Sequence, residues 1–317
     1  EGDPGSRVVL ERFDDYYGGS PDILPVGPAK VKRVIFDVIP ETSTRIAALQ
    51  AGKCDIIQWV PAEFIPMLEK DPNCVVKYAA GTRSHMMEMN VTKPPFDDVR
   101  VRKAMNYAID MDLVVEEFFS GRGSVFAGVC FPYEEMNNPS LKPYGYNPEL
   151  AKKLLKQAGY PNGFSVTLDV TGEWKELGEI FAGMLSEVGI KCGVRVWDWG
   201  VLKPLLLKGE RKLDFSTWGS SGLDPIGYLD AKLPTKGRSN YSQYSNPRVD
   251  EFMRKGGVTV DPEERKKVYK EMQRIVYEDC PWVFGFTRDE VLACRANVRN
   301  WEASPDSRIN LHDVWKE

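Results

Sequence analysis

Histidine is nearly missing from this chain: His85 and His312 are the only two in 317 residues. That scarcity argues against a His-built metal centre. It also leaves a Ser or Cys nucleophile without an obvious base. The six cysteines, at 54, 74, 130, 192, 280 and 294, contain no C-x-x-C pair. Zinc-ribbon and thioredoxin-type sites are therefore excluded. No apolar run reaches the length of a membrane span. No stretch of Lys and Arg is dense enough for a nucleic-acid footprint, and the net charge is −4. Internal repeats and low-complexity segments are absent too.

What remains is ordinary globular composition with enough length for about two domains. The even cysteine count permits disulfides, but buried thiols fit equally well and the spacing fixes no pairing. The opening Glu1-Gly-Asp-Pro-Gly-Ser6 reads as a loop cut from a longer protein or as a mature terminus.

Along the chain, strands are expected at 6–12, 30–39, 55–58 and 74–78, with helices from Thr42 to Gln50 and from Pro61 to Lys70. This alternation calls for a parallel or mixed α/β lobe. Residues 85–91 form another expected strand, and its Met86, Met87 and Met89 read as core rather than as ligands to copper or haem. Helices follow at 97–109 and 111–119, then a long Gly-, Pro- and Tyr-rich loop over 121–146. The next elements alternate: helix 149–158, strand 164–170, helix 172–188, strand 190–197, helix 200–208, strand 213–218. After Pro225 the chain reads as irregular to Asn246. Helices are expected from 247 to 255 and from Asp261 to Asp279. Trp282–Phe286 and Val291–Arg295 read as paired strands around Thr287-Arg-Asp-Glu290, and the tail from 297 reads as loop.

One stretch stands out for chemistry. Leu213-Asp-Phe-Ser-Thr-Trp218 alternates as a strand, then opens into Gly219-Ser-Ser-Gly222 and ends at Asp224-Pro225. A strand ending on an indole and then on small polar residues offers a flat apolar wall, hydroxyls and reachable backbone N–H groups. Ligands in open α/β sheets sit at the carboxyl ends of strands. A strand running into a turn, with Trp218 as core, is the plainer alternative.

Several motifs together resemble the extracytoplasmic solute-binding proteins of peptide/nickel-type ABC importers, solute-binding family 5. Val8-Val-Leu-Glu-Arg-Phe-Asp-Asp-Tyr-Tyr-Gly-Gly19 is similar to that family's strand and aromatic-Gly-Gly turn. Ile39-Pro-Glu-Thr-Ser-Thr-Arg-Ile-Ala-Ala-Leu-Gln-Ala-Gly52 looks like its first helix. Pro95-Phe-Asp-Asp-Val-Arg-Val-Arg-Lys-Ala104, Tyr146 to Gly159 and Ser239-Asn-Tyr-Ser242 are further anchors.

The resemblance implies an α/β, two-lobed periplasmic-binding-protein-like fold of type II, with mixed sheets flanked by helices. It implies a first lobe from 1–88 and 288–317, lacking an N-terminal part, and a second lobe from 89–287. It places a ligand between the lobes and assigns Trp218, Gly219, Ser220, Ser221, Trp199, Glu173, Trp174 and Asp224 to its site. Ser221 stands where peptide-binding members often carry an Asp that pairs with a peptide amine. A buried ammonium needs a counter-charge, so an ordinary free-amine peptide would need Asp224 or Glu173 instead. The expected partners are a peptide or other small solute and an ABC permease in the membrane. No nucleic acid, cofactor or metal is expected, and the protein is expected to be a monomer in the periplasm or at the cell surface. The alternatives are an extracytoplasmic sensor domain of the same fold and a hydrolase using Ser220, Ser221 or Cys130. The hydrolase lacks a G-x-S-x-G elbow.

Overall fold

The computed structural model describes residues 2–3, 6–18, 25–219 and 224–317. Along the chain come strands β1 (Gly2–Asp3), β2 (Arg7–Glu11) and β3 (Arg33–Asp37), helix α1 (Thr42–Gln50), strand β4 (Ile56–Ile57), helix α2 (Ile65–Lys70) and strand β5 (Cys74–Met89). Helices α3 (Val99–Ala108) and α4 (Met111–Leu113), strand β6 (Gly123–Val125) and helix α5 (Pro148–Gln157) follow. Then β7 (Ser165–Thr171), α6 (Lys175–Glu187), β8 (Lys191–Trp197), α7 (Trp199–Leu207), β9 (Leu213–Gly219) and α8 (Pro225–Leu229) alternate. The chain ends with α9 (Pro247–Val258), α10 (Pro262–Asp279), β10 (Trp282–Arg295), β11 (Val298–Arg299) and β12 (Trp315–Lys316).

Two compact units divide the chain: 1–81 with 289–317, and 82–288. The boundaries expected from sequence lay at 88/89 and 287/288. Strands β5 and β10 each carry the chain from one unit to the other.

In the first unit β1, β2 and β3 form an antiparallel ladder. Strand β4 pairs antiparallel with the end of β10, through Ile57 with Ala293. Helix α1 presents Ile46 and Leu49 to a core shared with Ile57, Val60, Ile65 and Leu68. Its N-cap is Glu41, whose carboxylate accepts from the Ser43 and Thr44 backbone N–H groups at 2.9 and 2.6 Å. Those donors hold the Glu41 carboxyl at about 2, below the ordinary carboxylate range.

In the second unit the strands lie in the order β6-β10-β5-β9-β7-β8. Strand β7 is parallel to both β8 and β9, while β5 runs antiparallel to β9. The sheet is mixed and carries helices, as an α/β fold requires. Helix α6 buries Leu177, Phe181 and Leu185, spaced four apart, against Val166, Leu168 and Val170 of β7. Gly178 lets it come close, since a Cβ there would stand 3.2 Å from Val170 Cγ1 and 3.3 Å from Val194 Cγ1. A second core gathers Val249 and Met253 of α9 with Tyr269, Met272 and Val276 of α10. Caps mark the helix starts: Asp98, Asn147, Asp224, Asn246 and Asp261 each accept from a first-turn N–H.

Several expectations fail, among them the loops over 121–146 and from 297, which hold the short strands β6, β11 and β12. Residues 74–78 and 85–91 are not separate strands, because β5 runs unbroken through Ala79-Ala-Gly81. Thr287–Glu290 is not a turn, because β10 is continuous from Trp282 to Arg295. The stretch after Pro225 is not wholly irregular, because Asp224 caps the short helix α8. All six cysteines are free thiols.

Candidate ligand site at the carboxyl edge of the parallel strands

Because β7, β8 and β9 are parallel neighbours, their carboxyl ends share one edge of the second unit's sheet. The structure brings five of the sequence-designated residues there. Trp218 and Gly219 end β9, Trp199 opens α7 one residue after β8, and Glu173 and Trp174 form a single turn after β7. Ser220 and Ser221 lie outside the described residues.

Trp218 is half-buried. Its indole Nε1 donates to the Tyr228 carbonyl at 2.8 Å, which fixes the ring across the start of the following loop. One side of the ring helps to wall a narrow recess. Met86, Phe126, Trp282 and Phe284 supply its apolar lining, and Lys232 is its one charged residue. Trp282 is buried, and its Nε1 has no acceptor among the described residues.

Under the recess lies a buried ion cluster. Lys232 and Glu88 are both fully buried and paired directly. Ser216 donates its hydroxyl to Glu88 Oε1 at 2.5 Å. The Lys232 ammonium also stands 3.9 Å from the Tyr241 ring centroid and 5.1 Å from that of Trp218. Asp214 sits beside Glu88 across the β5–β9 ladder. Burial, then the Glu88 charge, push its carboxyl well above the ordinary range.

The other designated residues have distinct settings. Trp199 is 41% exposed and meets Tyr241 edge-on at 5.9 Å, so Tyr241 links it to Lys232 and Trp218. Trp197 closes β8 and donates to Asp169 Oδ1 at 2.7 Å, whereas Trp199 lies in helix α7. Trp174 packs edge-on against His85 at 5.1 Å and Phe215 at 5.3 Å, with Arg288 Cζ 5.8 Å from its centroid. Glu173 is exposed. Asp224 is occupied: Arg265 Nη1 and Nη2 donate to its two oxygens at 2.7 and 2.8 Å. Those bonds hold its carboxyl below the usual range.

The hydrolase candidates fare poorly. Cys130 is fully buried, and burial drives its thiol well above the ordinary value. His85 is also sealed in; its Nδ1–H donates to the Phe286 carbonyl at 3.3 Å. Burial, then Arg288, bring its pKa down to about 3.

Sequence reasoning missed Lys232 and Glu88. A lone carboxylate inside Met86-Met-Glu-Met89 was the available signal, since a buried acid demands a cation. Nothing in the sequence pointed to Lys232 as that cation, 144 positions away.

The fold is that of the periplasmic solute-binding proteins. The chain belongs to the bacterial extracellular solute-binding proteins, family 5, whose middle-region model matches residues 1–240. The glutathione-binding protein GsiB of Escherichia coli strain K12 is 31% identical over 97% of this chain and 61% of its own length. Heme-binding protein A of Haemophilus influenzae is 29% identical over 81% of this chain and 49% of its own. The periplasmic binding protein DppA from Helicobacter pylori, solved with the peptide STSA, superposes with a TM-score of 0.86 at 26% identity. That match covers 100% of this chain and 62% of the other. The chain thus spans about half to three-fifths of these relatives' length. No helix among the described residues is long and apolar enough to cross a membrane.

Proposed function

We propose that this chain serves as the solute-binding component of an ABC importer. It holds a peptide or other small solute at the carboxyl edge of β7, β8 and β9, and the complex is delivered to a membrane permease. The work is done outside the cytoplasmic membrane, and it is capture rather than catalysis. The observation that carries this reading is the aromatic edge itself, Trp218 ending β9 and the exposed Trp199 opening α7 beyond β8, within a family of extracellular solute-binding proteins. Enclosure by apolar walls with a few fixed polar groups is how such sites gain affinity. The relatives' names, for glutathione and heme in two cases and a peptide complex in the third, support small organic solutes as the class.

The test is a fluorescence titration of the full-length protein against short peptides, sugar phosphates and metal chelates. One class should shift the tryptophan emission, and Trp218→Ala should abolish both the shift and the heat of binding. Binding that survives Trp218→Ala unchanged would place the site elsewhere.

A further inference from the structure

We infer that Glu134 is a positioning residue for the solute site: through Tyr228 it holds the Trp218 ring, and gaining a proton loosens that hold. This rests on Trp218 walling the solute site. The link runs through helix α8. The Tyr228 carbonyl accepts the Trp218 indole N–H at 2.8 Å, and the Tyr228 hydroxyl donates to Glu134 Oε2 at 2.6 Å. Tyr228 and Trp218 line the same recess. With only five residues, α8 is too short to hold itself in place. Two carboxylates anchor it. Asp224 caps its start and is gripped by Arg265, and Glu134, from the loop before α5, holds its end.

The second anchor has two arrangements open to it. Glu134 and Tyr228 are both buried. Glu134 Oε2 takes two donors, the Tyr228 hydroxyl and the Phe131 N–H at 2.7 Å, while Oε1 has no hydrogen-bond partner among the described residues. The Tyr228 hydroxyl has a second acceptor, the Val129 carbonyl at 3.2 Å. An ionised Glu134 draws the hydroxyl by a charge-assisted bond. A protonated Glu134 accepts more weakly, so the hydroxyl turns to Val129 and the end of α8 loses its carboxylate anchor.

The surroundings place this change in the working range. Besides Tyr228 from α8, Glu134 faces the Cys130 thiol of its own loop and, further off, the Asp224 carboxylate. From α10, Tyr269 lies within electrostatic range of Cys130, Arg265 is spent on Asp224, and Lys266 on Glu135 and Glu263. With no cation beside it, burial lifts the Glu134 carboxyl to about 7 despite its two donors. Arg265 holds the Asp224 carboxyl below the usual range. Near neutrality one anchor of α8 titrates and the other stays ionised.

Tryptophan emission of the full-length protein, followed without solute from about pH 8.5 to 5.5, tests this. The wild type should shift to the red with a midpoint of about 7, as the loosened ring gains water. Trp218→Phe should remove the shift, which assigns it to that ring. Glu134→Gln keeps the shape and the acceptor but cannot ionise, and Tyr228→Phe keeps the ring but cuts the link. Both should emit without change across the range, and Tyr228→Phe should match the acidified wild type. A purely structural Glu134 would give no midpoint in the wild type, and that result would overturn the inference. A shift that survives Glu134→Gln or Tyr228→Phe would assign it to another group, such as His312, and would also overturn it. Either failure leaves the solute site standing, whereas solute binding indifferent to Trp218→Ala would move the site and leave the link intact.

Discussion

The two faces of the β5–β9 ladder are built from opposite materials. One face carries His85, Met87 and Met89 of β5 opposite Thr217, Phe215 and Leu213 of β9. It joins the apolar core under α6. The other carries Ser84, Met86 and Glu88 opposite Trp218, Ser216 and Asp214, and it holds the ion cluster with Lys232. Both are sealed from water along most of the ladder. The first face needs only shape. The second must satisfy charge, and it is the one that ends in the recess. Polar burial is costly to assemble, yet here it fixes the Trp218 ring from below through Lys232.

The largest break in this contrast comes from removing one charge. Lys232→Met leaves Glu88 buried without its cation and should cost about 3–5 kcal/mol in urea unfolding. Replacing both members, as Glu88→Leu with Lys232→Met, should recover most of that loss, since a buried pair is often matched by apolar residues of similar volume. A double variant as unstable as the single one would show that the cluster's value lies beyond pairing.

The faces should also respond to pH with opposite signs. His85, on the apolar face, has its pKa lowered to about 3 by burial and by the Arg288 and Arg83 charges. The folded state therefore binds this proton less readily than the unfolded chain. Its contribution is whole above pH 6.5 and is lost as pH falls from there towards 3. Between pH 6.5 and 4.5 that loss is about 2 kcal/mol. Asp214, on the polar face, has its carboxyl raised, so its contribution is present at low pH and lost as pH rises through the folded value. Glu134 behaves likewise, with burial lifting it to about 7. Urea midpoints of the wild type and His85→Phe at pH 7 and 4.5 separate the signs. The variant should lose about 2.5 kcal/mol less on acidification. Equal losses would show that His85 protonates as readily folded as unfolded.

Legibility followed the range of the interaction. Caps and helices within a few residues could be read, as at Asp98, Asn147 and Asp261. The alternation of 213–218 marked its strand. Strand continuity could not be read where small or charged residues interrupt the pattern: Ala79-Ala-Gly81 looked like a break and Thr287–Glu290 like a turn. Long-range pairing was invisible. Asp224 looked available to a ligand until Arg265, 41 positions later, was seen to hold it. The same blindness hid Lys232, since a lysine in an irregular stretch is ordinarily solvated. The edge of parallel strands was foreseeable from the βαβ alternation; the charge beside Trp218 was not.

The finest test of the contrast uses neighbours on one strand. Ser216 points to the polar face and donates to Glu88 at 2.5 Å. Thr217 points to the other, where among the described residues its hydroxyl meets only the exposed Arg83 at 3.4 Å. Ser216→Ala deprives a buried carboxylate of a donor and should cost about 1–3 kcal/mol. Thr217→Val keeps the β-branched shape and gives up a long, solvent-screened contact, so its cost should stay within about 0.5 kcal/mol. Both are read by urea unfolding at pH 7. Equal costs would mean that the hydroxyl of Ser216 is replaced by water, and that the polar face is wetter than its burial implies.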